Sequence, residues 1–338
     1  MDIRMLFQQL QSQCRGIEFR ENEPLSAHTS FRIGGPAARM AFPKTPEELV
    51  QIVSGARALG IPTRVLGAGT NVLAPDEGLA ELIVCTKDCL LGLCETAGGQ
   101  IEAMAGESLA HTAVFARERA LTGFEFAHGI PGTVGGGIFM NAGAYGGELK
   151  DICRSVRALM PDGSVREFAG DWLFGYRTSV FQTNGAIILS AVFALSKGDE
   201  AAIREKMREL MQRRMASQPL ELPSAGSTFK RPEGAYAGPL IEASGLKGKG
   251  FGGAQVSQKH AGFVVNTGSA TSADIHELMK QVRKRVYDNS QVLLEPEIIL
   301  LPPDYKLEDR GPQVPRNKFI GLEEMTGGPD GGSAPDAE

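Results

Sequence analysis

Gly129-Ile-Pro-Gly-Thr-Val-Gly-Gly-Gly-Ile-Phe-Met-Asn-Ala-Gly-Ala-Tyr-Gly-Gly-Glu148 is the stretch on which the fold turns. Each glycine inside a helix or strand costs about 0.5–1 kcal/mol relative to alanine, so the density here argues against regular structure. Ile130, Val134, Ile138, Phe139 and Met140 are interleaved with the glycines, which sets the segment apart from a Gly/Ser linker. Local composition admits two readings: a buried wrap around a flat or phosphorylated ligand, or a set of tight turns between strands.

Upstream of this stretch the pattern is β–α–β. His28 to Phe42 reads as a strand, a Gly34-Gly35-Pro36 turn and a second strand, after a short helix within residues 1–25. Thr45 offers a cap, Pro46 fits the first helical turn, and Leu49, Ile52, Val53, Ala56 and Leu59 form an apolar stripe that ends at Gly60. Pro62 to Leu66 then reads as a strand and runs directly into Gly67-Ala68-Gly69-Thr70-Asn71. The Rossmann pattern fails there, because the third glycine is missing and Pro75 and Gly78 prevent a helix. A nest of consecutive peptide N–H groups suited to a pyrophosphate remains, as does a plain turn.

Downstream, strands are expected at 82–85, 100–105, 153–160, 165–168 and 186–195, with a helix over 109–121 and a hairpin at Pro161-Asp162-Gly163. Composition shifts near 197. Residues 199–217 form a charged amphipathic helix with Ile203, Met207, Leu210 and Met211 inward, and Ser272 opens another that carries Ile275, Leu278, Met279, Val282 and Val286. Residues 292–301 read as a returning strand. Beyond Pro302, proline, glycine and acids dominate, which predicts a largely disordered tail over 303–338.

The chain has 338 residues, enough for two or three domains, and a net charge of -5 that disfavours nucleic acid or an acidic membrane as partner. No apolar run is long enough to span a bilayer and no signal-peptide h-region is visible, so a cytoplasmic location is expected. Five cysteines fit reduced thiols; Cys85, Cys89 and Cys94 match no zinc or iron–sulfur spacing, and no metal site is expected.

Three further segments carry chemistry. In Gly175-Tyr-Arg-Thr-Ser179, Arg177 is suited to gripping a carboxylate or phosphate, unless it simply pairs with a surface acid. Ser224-Ala-Gly-Ser-Thr-Phe-Lys-Arg-Pro232 sets hydroxyls beside Lys230 and Arg231, which a turn or helix cap would also explain. Glu297 stands in the otherwise apolar Leu294–Ile298, where an unpaired carboxylate is expensive, and this points to function over a structural ion pair. A second ligand-facing loop is expected at Gly252–Gly262, with Gln255, Ser257, Lys259 and His260 available to a polar partner.

These motifs, with Val65–Leu73, Asn141–Gly146, Lys259–Phe263 and Glu295-Pro-Glu297, fall in the order found in the UDP-N-acetylenolpyruvoylglucosamine reductases, and over about residues 25–302 the chain resembles that family. The short spacing from Arg177 to Ser227 resembles its type II branch; Arg231 replaces the asparagine of some members, and the acidic tail has no counterpart.

The resemblance implies an α+β, three-part FAD-binding flavoprotein with vanillyl-alcohol-oxidase/PCMH-like lobes and an α+β substrate domain. The expected division is a first lobe at 1–88, to which 291–302 returns, a second lobe at 89–197, and a substrate-binding domain at 198–290. It also implies noncovalent FAD, NADPH as hydride donor, and reduction of UDP-N-acetylglucosamine-enolpyruvate to UDP-N-acetylmuramate for peptidoglycan, in a monomer. Arg177, Ser227 and Glu297 are the implied catalytic residues, with hydride from flavin N5 and a proton from Ser227. Gly67, Ala68, Gly69, Thr70, Asn71, Gly132, Thr133, Val134, Asn141, Ala142, Gly143 and Ala144 are the implied cofactor contacts. Tyr176, Lys230, Gln255, Ser257 and His260 are the implied substrate contacts. Rival readings are another FAD-dependent oxidase or dehydrogenase, or a non-catalytic nucleotide-binding protein.

Overall fold

The computed structural model describes residues 2–96 and 98–301, in which a four-stranded and a five-stranded sheet share one core and a smaller α+β unit has a core of its own. The tail expected at 303–338 lies outside the described residues.

The first sheet runs in the order Glu18–Pro24, Pro36–Phe42, Leu79–Cys85, Thr63–Leu66; its first pair is antiparallel and the other two are parallel. The helix Pro46–Ala58 crosses it. Thr45 Oγ1 accepts the Glu48 N–H at 3.2 Å, and Leu49, Ile52, Val53 and Ala56 are buried as their spacing dictates. Burying such side chains is worth roughly 1.5–3 kcal/mol for each large one. The strand expected at 28–33 is absent. That segment is a looped excursion, and the partner of Pro36–Phe42 is instead Glu18–Pro24, whose mostly charged, exposed residues gave no apolar alternation to read.

The second sheet is antiparallel, in the order Val165–Phe168, Cys153–Leu159, Ile187–Ala194, Gln100–Met104, Leu93–Thr96. The helices Leu109–Arg117 and Val134–Met140 flank it. The second of these corrects the reading of the glycine stretch: Val134-Gly-Gly-Gly-Ile-Phe-Met140 is helical. Its glycines allow close approach. A Cβ on Gly135 would lie 3.0 Å from the Ala105 Cβ, and one on Gly137 would lie 2.8 Å from Leu149 Cδ1. Thr133 caps the helix and Asn141 ends it in the left-handed region at φ 45°.

One continuous core joins both sheets, from Phe7 and Leu49 through Ala103 and Phe193 to Ile203 and Met207. The helix Glu200–Ser217 therefore packs against the second sheet, and its fourth buried position is an arginine, Arg214, in place of the expected Met211. A separate core holds the three-stranded sheet Gly250–Phe251, Ala254–Val256, Val264–Asn266 against the helix Ser272–Ser290. Phe31, Ile33 and Leu73 from the first lobe enter that core with Leu294 and Ile298. The strand expected over 292–301 shrinks to Ile299–Leu300, which pairs in parallel with Val72–Leu73. Residues 292–298 form no ladder beyond one bridge between Pro296 and Phe229. Among the described residues, no helix is long and apolar enough to cross a membrane.

Candidate functional site

A cavity of 720 Å³ opens where the three parts meet, within the range that holds small-molecule and cofactor ligands. Gly67 to Asn71, Gly132 and Thr133 line one stretch of its wall, and Ala142 to Ala144, Arg177, Gly226, Ser227 and Glu297 another.

The Gly67–Asn71 loop leaves the strand Thr63–Leu66, and none of its five peptide N–H groups donates to another described residue. Backbone donors left unpaired in a lined cavity make a bed for an anion. The loop is wedged from behind. Gly69 has φ 61°, and a Cβ there would lie 2.2 Å from the carbonyl oxygen of His28; one on Gly67 would lie 2.5 Å from Thr133 Oγ1. Ser30 ties the nest to the serine loop, its N–H donating to Gly69 O and its hydroxyl to Ser224 O at 2.6 Å. The looped excursion at 28–33 thus serves as a brace, which explains why it is not a strand.

The helix Val134–Met140 offers no second anion site. Val134 N–H donates to Glu107 O at 2.7 Å, Gly135 N–H to Ala105 O at 2.9 Å, and Gly136 N–H to Thr133 Oγ1. Val134 is therefore buried in the core and absent from the cavity wall. Asn141 is likewise fully buried. Its amide donates to Glu148 and to Gly175 O at 2.9 Å, and its Oδ1 accepts from Lys150 N–H. Both were expected to touch cofactor; in the structure Val134 packs into the core and Asn141 ties together Glu148, Lys150 and Gly175.

Through Asn141 and Phe139 the end of that helix positions Arg177. Gly175 and Thr178 close a tight turn on each other, Ser179 Oγ donates to Phe139 O, and Arg177 sits at φ 55° in the left-handed region that a branched-free but Cβ-bearing residue seldom adopts. Its Nε donates to Glu297 Oε1 at 2.5 Å and Nη1 reaches Gly143 O at 3.4 Å. Glu297 is held in turn: its N–H donates to Thr228 O at 2.9 Å, and Asn71 Nδ2 donates to its carbonyl.

The same contacts deliver Ser227. Residues 228–230 run antiparallel to 295–297, and Thr228 spends its hydroxyl on Val264 N–H and its own N–H on Gly262 O. Ser227, one residue earlier, faces the cavity with Arg177 and Glu297. A guanidinium, a hydroxyl and a carboxylate therefore share one wall, a set able to steady a developing carboxylate-type anion and to hand over a proton.

The expected substrate contacts are arranged differently. Tyr176, Lys230, Gln255, Ser257 and His260 are all outside the cavity lining. The Tyr176 hydroxyl accepts from Arg231 N–H, and Lys230 pairs with Glu295 at 3.5 Å. Gln255 donates to Gly248 O, Ser257 Oγ accepts from Lys259 and His260 N–H, and His260 Nδ1 accepts from Gly262 N–H. Lys259 itself reaches Met215 O. The contacts of Gln255, Ser257 and His260 stay within one loop region, whereas those of Tyr176, Lys230 and Lys259 tie distant segments together. The lining also includes Arg57, Arg64, Arg214 and Gln218, on helix and strand positions that gave no motif. Among the described residues, no group of three His, Cys, Asp or Glu side chains could hold a metal.

Comparison with known proteins bears on this geometry. Residues 218–301 match the family model for the C-terminal domain of UDP-N-acetylenolpyruvoylglucosamine reductase, and residues 37–169 match that of an FAD binding domain. The chain is 46% identical over 278 residues to the UDP-N-acetylenolpyruvoylglucosamine reductase of Caldanaerobacter subterraneus subsp. tengcongensis, covering 82% of this chain and 91% of the relative. It is 45% identical over 302 residues to that of Streptococcus thermophilus, covering 89% and 98%. Among solved structures, the MurB reductase of Thermus caldophilus superposes with a TM-score of 0.70 at 33% identity, covering 85% of this chain and 99% of that one.

Proposed function

This chain belongs to the UDP-N-acetylenolpyruvoylglucosamine reductase family, and from that premise we propose how its own residues carry out the reduction. It is an FAD-dependent oxidoreductase of peptidoglycan synthesis that acts on a UDP-sugar with NADPH as the fitting hydride donor. The cavity fits the cofactor on its own terms. Five amides without acceptors among the described residues suit a diphosphate, and the glycines let the loop pack so closely on His28 and Thr133 that a Cβ at Gly67 or Gly69 would collide with them. Gly67 to Asn71, Gly132 and Thr133 would hold the diphosphate, and Ala142 to Ala144 would lie along the ring. No His or Cys is among the lining residues, in keeping with noncovalent binding.

Bound FAD supplies hydride transfer from the nicotinamide to the terminal carbon of the enol ether. The rest falls to the protein. Hydride addition leaves charge on the carbon beside the substrate carboxylate, and this aci-carboxylate is stabilised where it forms by Arg177. Glu297 aligns that guanidinium through the Nε contact, and the left-handed turn at Arg177 presents it without a search through backbone conformers. Ser227 donates the proton that completes the reduction. A hydroxyl is a weak acid, and it suffices here because the acceptor is a very strong base. Reduction is then complete, with the serine reprotonated from solvent.

The observation that carries this reading is the convergence of Arg177, Ser227 and Glu297 on one cavity wall beside the amide nest. NADPH consumption that requires the enolpyruvyl nucleotide tests it, and consumption unchanged by leaving that nucleotide out would favour an oxidase using oxygen. We further propose the division into lobes at 1–88 and 89–197 and a substrate domain at 198–290, with the helix Glu200–Ser217 docked on the second lobe.

A further inference from the structure

Four guanidinium groups line the cavity, and three have protein partners. Arg64 forms a two-point contact with Glu81, Arg177 pairs with Glu297, and Arg57 donates to Met160 O. Arg214 is the exception among the described residues. It lies on the helix Glu200–Ser217, is only 9% exposed, and makes no hydrogen bond or ion pair from its side chain; its Nε is fully buried. One turn on, Gln218 lines the same wall with its Oε1 buried and also unpartnered. An uncompensated buried guanidinium is among the costliest groups a protein can carry, and a buried amide oxygen adds to that cost. Burial pushes the Arg214 guanidinium below its ordinary pKa, with the nearby Tyr145 acting the other way.

Position supplies the ligand's chemistry. A Cβ on Gly129 would lie 3.1 Å from Arg214 Cδ, so the arginine packs on the start of the loop that contains Gly132 and Thr133. That loop is fastened to the amide nest through Thr70 Oγ1, which donates to Pro131 O at 3.0 Å. The nest supplies N–H dipoles but no formal charge, and the first amides of the helix Val134–Met140 are already spent. Arg57 and Arg214 both lack a carboxylate partner among the described residues, but Arg57 is exposed and Arg214 buried, so an anion seated in the nest shares the cavity with one buried cation that has no counter-charge. An orphan donor and an orphan acceptor on one wall match a ligand with an anionic group next to hydroxyls.

We propose that Arg214 is the counter-charge of the diphosphate of the bound dinucleotide cofactor, that Gln218 Oε1 accepts from a sugar or ribityl hydroxyl beside it, and that the cofactor thereby pins the helix Glu200–Ser217 to the second lobe. The inference rests on reading the cavity as the FAD site, and it assigns to this cofactor two residues that no sequence motif marks.

The test is FAD binding to protein stripped of flavin, followed by flavin fluorescence, with riboflavin and UDP as parallel ligands. Loss of a charge-assisted hydrogen bond worth about 1.5–3 kcal/mol predicts that Arg214→Met weakens FAD by about 10- to 100-fold. Arg214→Lys should recover part of that loss, and riboflavin, which has no phosphate, should bind both proteins alike. Amide hydrogen exchange in residues 200–218 should slow on FAD addition in the parent protein and change little in Arg214→Met. If Arg214→Met does not fold, Arg214→Lys and Gln218→Leu provide the same comparison at smaller amplitude. Unchanged FAD affinity, or equal losses for riboflavin and FAD, would overturn the assignment. So would a loss confined to UDP, which would give Arg214 to the substrate's diphosphate. Failure of the parent protein to bind FAD at all would instead remove the cofactor reading beneath it.

Discussion

Arg177 Nε donates to Glu297 Oε1 at 2.5 Å across 120 residues of sequence, with the Arg177 side chain 18% and the Glu297 side chain 9% exposed. At that degree of burial the pair orients the guanidinium as well as neutralising it, since a shielded ion pair has few alternative geometries. The contact joins the connection between the strands Val165–Phe168 and Ile187–Ala194 to the segment that follows the helix Ser272–Ser290, so the site exists only when these distant stretches of chain are assembled.

Arg177→Ala should therefore lower kcat by about 100- to 1,000-fold, the range seen when one oriented donor is removed from a developing anion. Flavin content should be unchanged, because the nest lies elsewhere on the wall. Absorbance of the purified variant and its steady-state rate check both halves. Protein that purifies colourless would mean that Arg177 serves the cofactor or the fold.

Gly67→Ala should cost flavin without touching any catalytic group. The new methyl would meet Thr133 Oγ1 at 2.5 Å but would lie 3.6 Å from Thr133 Cβ. The collision is thus with the hydroxyl alone, and Gly67→Ala combined with Thr133→Ala should regain part of the FAD content. The double variant also loses the cap on Gly136 N–H, worth about 1 kcal/mol, so its melting temperature should stay below that of the parent protein. A double variant with no more flavin than Gly67→Ala would contradict the steric account.

His276 links stability to pH. It is buried on the helix Ser272–Ser290, and burial, then the charge of Lys280, pushes its pKa down to about 4 from an ordinary value of 6.5. The unfolded chain binds a proton below about pH 6.5 that the folded chain refuses until about pH 4, so stability is full above that window and falls as pH drops through it, by up to roughly 3 kcal/mol. Denaturant unfolding at pH 7, 5 and 4 measures the slope. His276→Gln should flatten it, and an equal slope in the variant would assign the effect to other groups.

Thiol reactivity should follow burial. Cys85 and Cys153 are pushed up to about 12, chiefly by desolvation, whereas Cys94 is exposed on a strand edge. Because the thiolate is the nucleophile, iodoacetamide near pH 8 should label Cys94 first and leave the other two until denaturant is added. Peptide mass spectrometry reads the order directly, and early labelling at Cys153 would contradict the packing of the second sheet.

Much of this was legible in the residues. Helices with complete punctuation, such as Pro46–Ala58 with its Thr45 cap and Ser272–Ser290 with its Thr271–Asp274 box, follow from local rules that tertiary structure did not override. Glu297 stood out as a carboxylate in an apolar segment, whereas Arg177 and Ser227 were singled out by the family resemblance; all three line one cavity. What local rules missed was set by distant partners. The glycine helix exists because Ala105, Leu109 and Leu149 crowd it, and no composition rule inside the segment contains that information. The loop at 28–33 alternates like a strand, yet it braces Gly69 and Ser224 across the molecule. Gln255, Ser257 and His260 lie outside the cavity lining, and their residue types could not have told a turn from a binding loop, because both draw on the same small polar residues. Arg214 was hidden among the basic residues of an amphipathic helix, where burial alone distinguishes it.

The central claim is that Ser227 gives the proton after hydride has been delivered, and the two half-reactions of Ser227→Ala measured without oxygen test it most directly. NADPH should bleach the flavin of the variant at close to the parent rate, since no proton from Ser227 is needed in that step. Addition of the enolpyruvyl nucleotide should then restore the yellow colour at least about 100-fold more slowly than in the parent, because hydride delivery to form so basic an anion is reversible and oxidised flavin accumulates only as the positioned acid traps it. Recovery of colour at the parent rate would show that the proton comes from another group.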